Sequence, residues 1–330
     1  MYRLSSLAGA DSLVFGRQRV RLLRIYLGAT TFLFTYGVVF TLFPVRTDLT
    51  YGNPAGGIVA IVLGAAALAQ LALRPDRLMP ATVAAVAATP VVMAFHVSMT
   101  AQSVCLIGPM FLAMYLRAFH APRHACWLIG SLAAACVVAV GISPAPHVGV
   151  ITFLIIAIAI IGAAESFGLL MRAMLTAACT DPLTGLLNRA GWEIGTTDLL
   201  RRSRTAPVTV TVVALDIDGL KGLNDTYGHQ AGDRRITQYA HHWRQAAPKH
   251  AVLARLGGDE FAVCIVDETP DVVQSFLRML RVDTPGVSLG TASQAAVSAS
   301  ITELHAQADA ALYQSRGRPL LDDSGSAAEV

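Results

Sequence analysis

A chain of 330 residues with only 14% charged and 54% hydrophobic side chains lies well below the ~25% charge of an ordinary soluble domain. The shortfall sits in the first half, so the composition excludes a single soluble domain and favours a membrane region followed by one globular domain. A formal net charge of +3 is too small to argue for a nucleic-acid partner.

Residues 1–21 are polar and carry Arg3, Arg17, Arg19 and Arg21. The apolar run after them is too long for a signal peptide and has no small-residue cleavage site, so they read as a cytoplasmic tail. Six apolar segments follow at 22–43, 57–73, 80–96, 100–118, 125–142 and 148–170, each close to the ~20 residues that cross a bilayer. Arg74, Arg77, Arg117, Arg123 and Arg172 fall on the same side as the tail, and only Arg46 falls opposite. The positive-inside rule then places both termini in the cytoplasm. Gln70, His96, Gln102 and Glu165 are the polar residues at or near membrane depth, and they read as interfacial or packing residues. The five cysteines, Cys105, Cys126, Cys136, Cys179 and Cys264, show neither CxxC spacing nor a histidine partner and read as small buried residues.

Residues 171–180 form a short helical connector. Met171, Met174, Leu175 and Ala178 would lie on one apolar stripe along which two copies could pair. Beyond it the pattern predicts a helix over 188–204, a strand over 208–216 and a helix over 231–247. Strands over 250–256 and 261–266, a helix over 269–281, a strand over 286–291 and a helix over 300–316 complete the series. That β-α-β-β-α-β order is a ferredoxin-like split unit. The expected architecture is therefore an α-helical membrane bundle at 22–170 and an α+β domain at 181–318, with a disordered tail at 319–330.

Two stretches carry chemistry. The β-branched run from Val208 ends in Asp216-Ile-Asp218, and a buried strand with acids at its C-terminal end is a common way for a sheet to present metal ligands. The second stretch, Arg255-Leu-Gly-Gly-Asp-Glu-Phe261, reads as two strands joined by a tight turn at Gly257 and Gly258. Such glycines let the backbone approach a ligand and offer N–H groups to phosphate. Asp259 and Glu260 would repel that phosphate unless a cation intervened, and hard oxygen ligands suit Mg²⁺. Alone, Gly-Gly-Asp is equally an ordinary hairpin turn with solvated acids. The second acidic cluster turns the balance toward a nucleotide site.

Five blocks now stand in order. They are Asp181-Pro-Leu-Thr-Gly-Leu-Leu-Asn-Arg189, Asp216 to Asp225 continuing through Gly228-His229 and Gly232-Asp233, Arg255 to Phe261, Ser288-Leu-Gly290, and Ala308-Asp-Ala-Ala-Leu-Tyr313. Together they resemble the GGDEF family of diguanylate cyclases. The resemblance implies that Asp216, Asp259 and the Ile217 carbonyl hold Mg²⁺, and that Gly257 and Gly258 cradle the nucleotide phosphates. It further implies that Glu260 contacts the metal or the attacking 3′-hydroxyl, that Asn224 and Asp233 read guanine, and that Lys221 faces phosphate. Arg316 stands where the family has a lysine. The implied reaction joins two GTP into cyclic di-GMP and pyrophosphate, which needs two facing domains and hence a homodimer, at the inner membrane of a bacterium. Two departures stand out: the interval from Phe261 to Ser288 is short, and Pro248-Lys-His-Ala251 is not an RxxD product-inhibition site. The alternative reading is a catalytically degenerate GTP-binding receptor or scaffold with a membrane sensor; a transporter with an accessory domain ranks last.

Overall fold

The computed structural model describes residues 13–44, 51–147, 149–267 and 270–316. Arg46 and the tail at 319–330 lie outside the described residues, as does the side chain of Arg316. The chain divides into two compact units that meet in sequence at Met174 and Leu175.

The first unit is helical: α1 (Leu13–Leu42), α2 (Ala55–Leu73), α3 (Leu78–Met93), α4 (Met99–Cys105), α5 (Ile107–Phe119), α6 (Pro122–Ile142) and α7 (Gly149–Cys179). Among the described residues, five stretches are long and apolar enough to cross a membrane: Gln18–Leu42, Ala55–Leu73, Met99–Phe119, Pro122–Ile142 and Gly149–Cys179. The third expected segment is a helix of only 16 residues, about 24 Å long at the α-helical rise and so shorter than the ~30 Å hydrocarbon core. The fourth is broken at Leu106. Pro109 sits in the first turn of α5, and its ring would meet the carbonyl of Cys105, where α4 ends.

Packing in this unit relies on small residues. The buried stripe of α2 is Gly56, Ala60, Gly64, Ala67 and Leu71, and such small residues let helix backbones approach closely. Large side chains such as Phe32, Val62, Trp127 and Ile158 point outward. Glu165 is more than an interfacial residue, because Arg117 donates to it from Nε at 2.8 Å and from Nη2 at 3.2 Å. The cysteines divide: Cys136, Cys179 and Cys264 are buried as expected, Cys105 is half-buried, and Cys126 is exposed on α6.

The second unit contains α8 (Arg189–Ser203), β1 (Thr209–Ile217), α9 (Leu220–Tyr227), α10 (His229–Ala246), β2 (Val252–Gly257), β3 (Glu260–Asp267), α11 (Pro270–Asp283), β4 (Val287–Ala295) and α12 (Ile301–Arg316). The sheet order is β2-β3-β1-β4, and β1 is antiparallel to both neighbours. This is the ferredoxin-like arrangement expected from the sequence. β1 reads as a continuous apolar run because both its faces are covered. Val210, Val212 and Ala214 pack with Trp192, Leu199, Leu304 and Ala308. Val213, Leu215 and Ile217 pack with Ile236, Trp243, Phe276 and Leu280.

The sheet and α12 meet backbone to backbone. A Cβ at Gly290 would stand 2.1 Å from the Ala308 carbonyl oxygen and 2.2 Å from the Leu312 nitrogen. The helix α9 was not anticipated. It is eight residues long and contains Gly222, Asn224 and Asp225, whose low helix propensity hides it. Gly228, at φ 79°, ends α9 and starts α10.

Candidate active site

The end of β1 is where the acids gather. Asp216 stands directly opposite Glu260 on β3 and Ser288 on β4, and it is only 7% exposed. The Ile217 N–H donates to the Asp259 carbonyl at 3.3 Å, so the ladder between β1 and β3 closes at the hairpin tip. Two carboxylates directly opposed across a strand pair destabilise it; a cation at that point removes the conflict. Among the described residues no group of three or more His, Cys, Asp or Glu is assembled for a metal. Two carboxylates and a carbonyl nevertheless fit Mg²⁺, which commonly takes one or two carboxylates and fills its other positions with substrate phosphates and water.

The hairpin turn is Gly258-Asp259, while Gly257 is the last residue of β2, next to a bulge between Arg255 and Gly257. This turn is held from behind. Arg255 donates from Nε and Nη2 to the Gly258 carbonyl at 3.0 and 2.8 Å, and from Nη1 to both Asp181 oxygens at 3.2 Å. Since the peptide plane is trans, the Asp259 N–H points away from Arg255. Asp181 in turn accepts from the Thr184 amide at 2.9 Å and hydroxyl at 2.7 Å. Burial pushes the Asp181 carboxyl up, but the Thr184 hydrogen bonds and the Arg255 charge outweigh it, so its pKa lies below the ordinary 3.8. A cavity of about 430 Å³ opens beside this ion pair, lined by Asn188, Arg189 and the Gly257-Gly258 backbone among others.

The last turn of α7 is fastened to the same region. The Asn188 side chain caps α8 by accepting from the Gly191 N–H at 2.9 Å and donates to the Ala178 carbonyl at 2.8 Å. Its backbone N–H donates to the Cys179 carbonyl at 2.9 Å.

The remaining expected residues lie on α9 and α10. The Asn224 side chain rests on Gly232: a Cβ there would stand 2.1 Å from Asn224 Oδ1. That oxygen is buried and makes no hydrogen bond to another described residue. Lys221 and Asp233 are exposed, the former on α9 and the latter on the second turn of α10. Ser288 turns Asp218 toward β4, donating to its two oxygens at 2.8 and 3.0 Å. The sequence reading did not assign site roles to Asp181, Arg255, Gly232 or Ser288. An Asp three residues before Thr signals an Asx-type turn, and that signal was available for Asp181; nothing local marks the other three.

Residues 178–319 match the family described as diguanylate cyclase, GGDEF domain. An uncharacterized 19.3 kDa protein from the repSA 5′ region of Streptomyces ambofaciens is 34% identical over 160 residues, which cover 46% of this chain and 85% of that protein. The probable diguanylate cyclase DgcF of Escherichia coli (strain K12) is 29% identical over 189 residues, 52% of this chain and 58% of its own length. A solved structure, the GGDEF domain of DgcB from Caulobacter crescentus in complex with c-di-GMP, is 33% identical over 43% of this chain and 92% of that one, with a TM-score of 0.39. Two further curated relatives are matched over less than two thirds of their own length, 62% and 19%.

Proposed function

Because this chain belongs to the GGDEF family of diguanylate cyclases, we propose that it is a membrane-bound enzyme condensing two GTP into cyclic di-GMP and pyrophosphate. The observation that carries this reading is the meeting of Asp216, Glu260 and the Asp259 main chain at one end of the sheet. The Asp216 and Asp259 carboxylates and the Ile217 carbonyl would hold Mg²⁺, which supplies positive charge to the phosphoryl oxygens as the reaction proceeds.

The chain's own residues do the positioning. Gly257 and Gly258, without side chains, admit the phosphates to the backbone, and the Arg255 grip on the Gly258 carbonyl fixes the direction of the next N–H. Lys221 and Arg316 neutralise phosphate charge. Asn224 Oδ1 and the Asp233 carboxylate accept from the N1–H and N2–H₂ groups of guanine, a donor pattern that adenine does not present there. The 3′-oxygen of one GTP bonds to the α-phosphorus of the other as the bond to the pyrophosphate oxygen breaks. Glu260 takes up the hydroxyl proton.

Each domain supplies one such site and the product joins two nucleotides symmetrically, so the active species is a homodimer. The arginine distribution puts the cyclase unit on the cytoplasmic side of a bacterial inner membrane, where GTP is present. Incubation of the full-length protein with GTP and Mg²⁺, followed by chromatography, should yield cyclic di-GMP and pyrophosphate. An Asp259→Ala variant should yield neither; GTP bound but unconverted by the unaltered protein would remove the assignment.

A further inference from the structure

The cavity beside the Asp181–Arg255 pair is unused by the chemistry proposed above. At about 430 Å³ it falls within the range of ordinary small-molecule sites. Neither the acids of the metal site, Asp216, Asp259 and Glu260, nor the guanine residues, Asn224 and Asp233, line it. Only the Gly257-Gly258 backbone, the cradle proposed for phosphate, is common to both. The cavity borders the hairpin on the β2 side, through Arg255, Leu256 and Gly257, whereas Asp216 approaches the hairpin from β1.

Four polar side chains line this space, and three of them are already engaged. Asp181 and Arg255 hold each other, and Arg255 is also bound to the Gly258 carbonyl. Asn188 caps α8 and donates to the Ala178 carbonyl. Arg189 is the exception: it is exposed at the start of α8, and among the described residues its guanidinium has no hydrogen bond and no ion pair. Since Arg255 offsets Asp181, Arg189 leaves the cavity with an excess of positive charge. An exposed arginine on an open surface is simply solvated. This one borders a ligand-sized space that shares a wall with a phosphate cradle, and its planar fork of donors matches phosphate oxygens.

The condensation consumes two nucleotides, and the residues assigned in one domain account for one of them. The other must bring its 3′-oxygen to the phosphorus held at the hairpin, so its own triphosphate lies one ribose away from that hairpin. We propose that this cavity receives the nucleotide carried by the facing copy of the chain, with Arg189 bound to its phosphates. The inference rests on the cyclase reading and deepens it, because each catalytic site then needs an arginine acting on the partner's substrate.

The test uses the full-length protein. Pyrophosphate release from GTP gives kcat and KM. Equilibrium binding of 3′-deoxy-GTP with Mg²⁺ gives the affinity of a domain for its own nucleotide, because this probe lacks the attacking hydroxyl. A contact made only when two loaded domains face each other acts on turnover, so Arg189→Gln should lower kcat and kcat/KM together by roughly tenfold or more, with 3′-deoxy-GTP affinity within about twofold of wild type and Tm unchanged. Arg189→Lys, which keeps the charge without the fork, should recover part of the loss. Ala190→Glu sets a carboxylate in the same cavity at a helix start that favours acids, and it should slow turnover likewise; it decides alone if Arg189→Gln does not fold. Wild-type kcat in Arg189→Gln or in Ala190→Glu overturns the proposal. So does a roughly tenfold loss of 3′-deoxy-GTP affinity in Arg189→Gln, which would put Arg189 on its own domain's nucleotide. A wild-type protein that binds 3′-deoxy-GTP but releases no pyrophosphate from GTP removes the cyclase reading, and this inference with it.

Discussion

Replacing Gly232 with alanine isolates guanine recognition from folding. The new Cβ would lie 2.1 Å from Asn224 Oδ1 and 2.9 Å from its Cγ, whereas ordinary contact begins near 3.4 Å. Asn224 must therefore swing away by about 1.3 Å, the gap between those two distances. Only the end of a flexible side chain has to move, so the backbone is spared. Alanine is also favoured over glycine in a helix by ~1 kcal/mol. The folded protein should lose nothing, and its Tm should hold or rise by roughly 2–4 °C. The guanine base, however, loses one acceptor. A hydrogen bond contributes about 0.5–1.5 kcal/mol, equivalent to a roughly 2- to 12-fold rise in KM at ~1.4 kcal/mol per tenfold. Contacts to a base remote from the reacting atoms act in the ground and transition states alike, so kcat should stay within about twofold. Pyrophosphate release across a GTP titration measures both constants. An unchanged KM with an intact fold would refute the role given to Asn224, and a collapse of Tm would refute the packing argument.

Asp181→Asn should loosen the turn rather than the fold, because Arg255 loses its counter-charge while keeping its bonds to the Gly258 carbonyl; the expected result is a several-fold fall in kcat with GTP affinity nearly retained, read by the same assay. Because the Asp181 pKa is depressed below 3.8, its ionised form contributes stability that is complete above that value and is lost as the pH falls below it toward the folded-state pKa. Acid unfolding of Asp181→Asn should accordingly lack this component, as a pH series of unfolding midpoints would show. Gly290→Ala drives a methyl into the α12 backbone and should cost about 1–3 kcal/mol, visible as a lower unfolding midpoint in tryptophan fluorescence, since Trp192 and Trp243 are both buried in this unit. Glu165→Gln leaves Arg117 without its charged partner at 13% side-chain exposure and should lower the midpoint of the detergent-solubilised protein, with Arg117→Gln/Glu165→Gln recovering part of the loss.

Strands β1 and β3 were legible as β-branched or apolar runs, and β1 from Thr209 to Ile217 needed no further context, whereas β4 is rich in Ser, Thr, Gly and Gln and runs to Ala295, four residues past the expected end at 291. The acids were legible from their places in the pattern: Asp216 ends the buried run of β1, and Asp259 and Glu260 follow two glycines at the exposed tip of a hairpin. Helix α9 was hidden, since eight residues containing Gly222, Asn224 and Asp225 carry too little periodicity. The break at Leu106 follows from Pro109 but leaves no trace in hydropathy, since both halves belong to one apolar stretch, Met99–Phe119. Contacts that depend on the tertiary path were beyond reach. The Arg255–Asp181 pair joins residues 74 positions apart, and the partner of Ser288 is 70 positions away.

The most direct measurement of the central claim is Mn²⁺ electron paramagnetic resonance on the full-length protein with a GTP analogue that cannot react. Wild type should show one protein-held metal–nucleotide complex per chain, and Asp216→Asn and Asp259→Asn should each lose it while remaining folded. Retention of that signal in both variants would mean that the ion is held elsewhere, and the end of β1 would no longer be the catalytic centre.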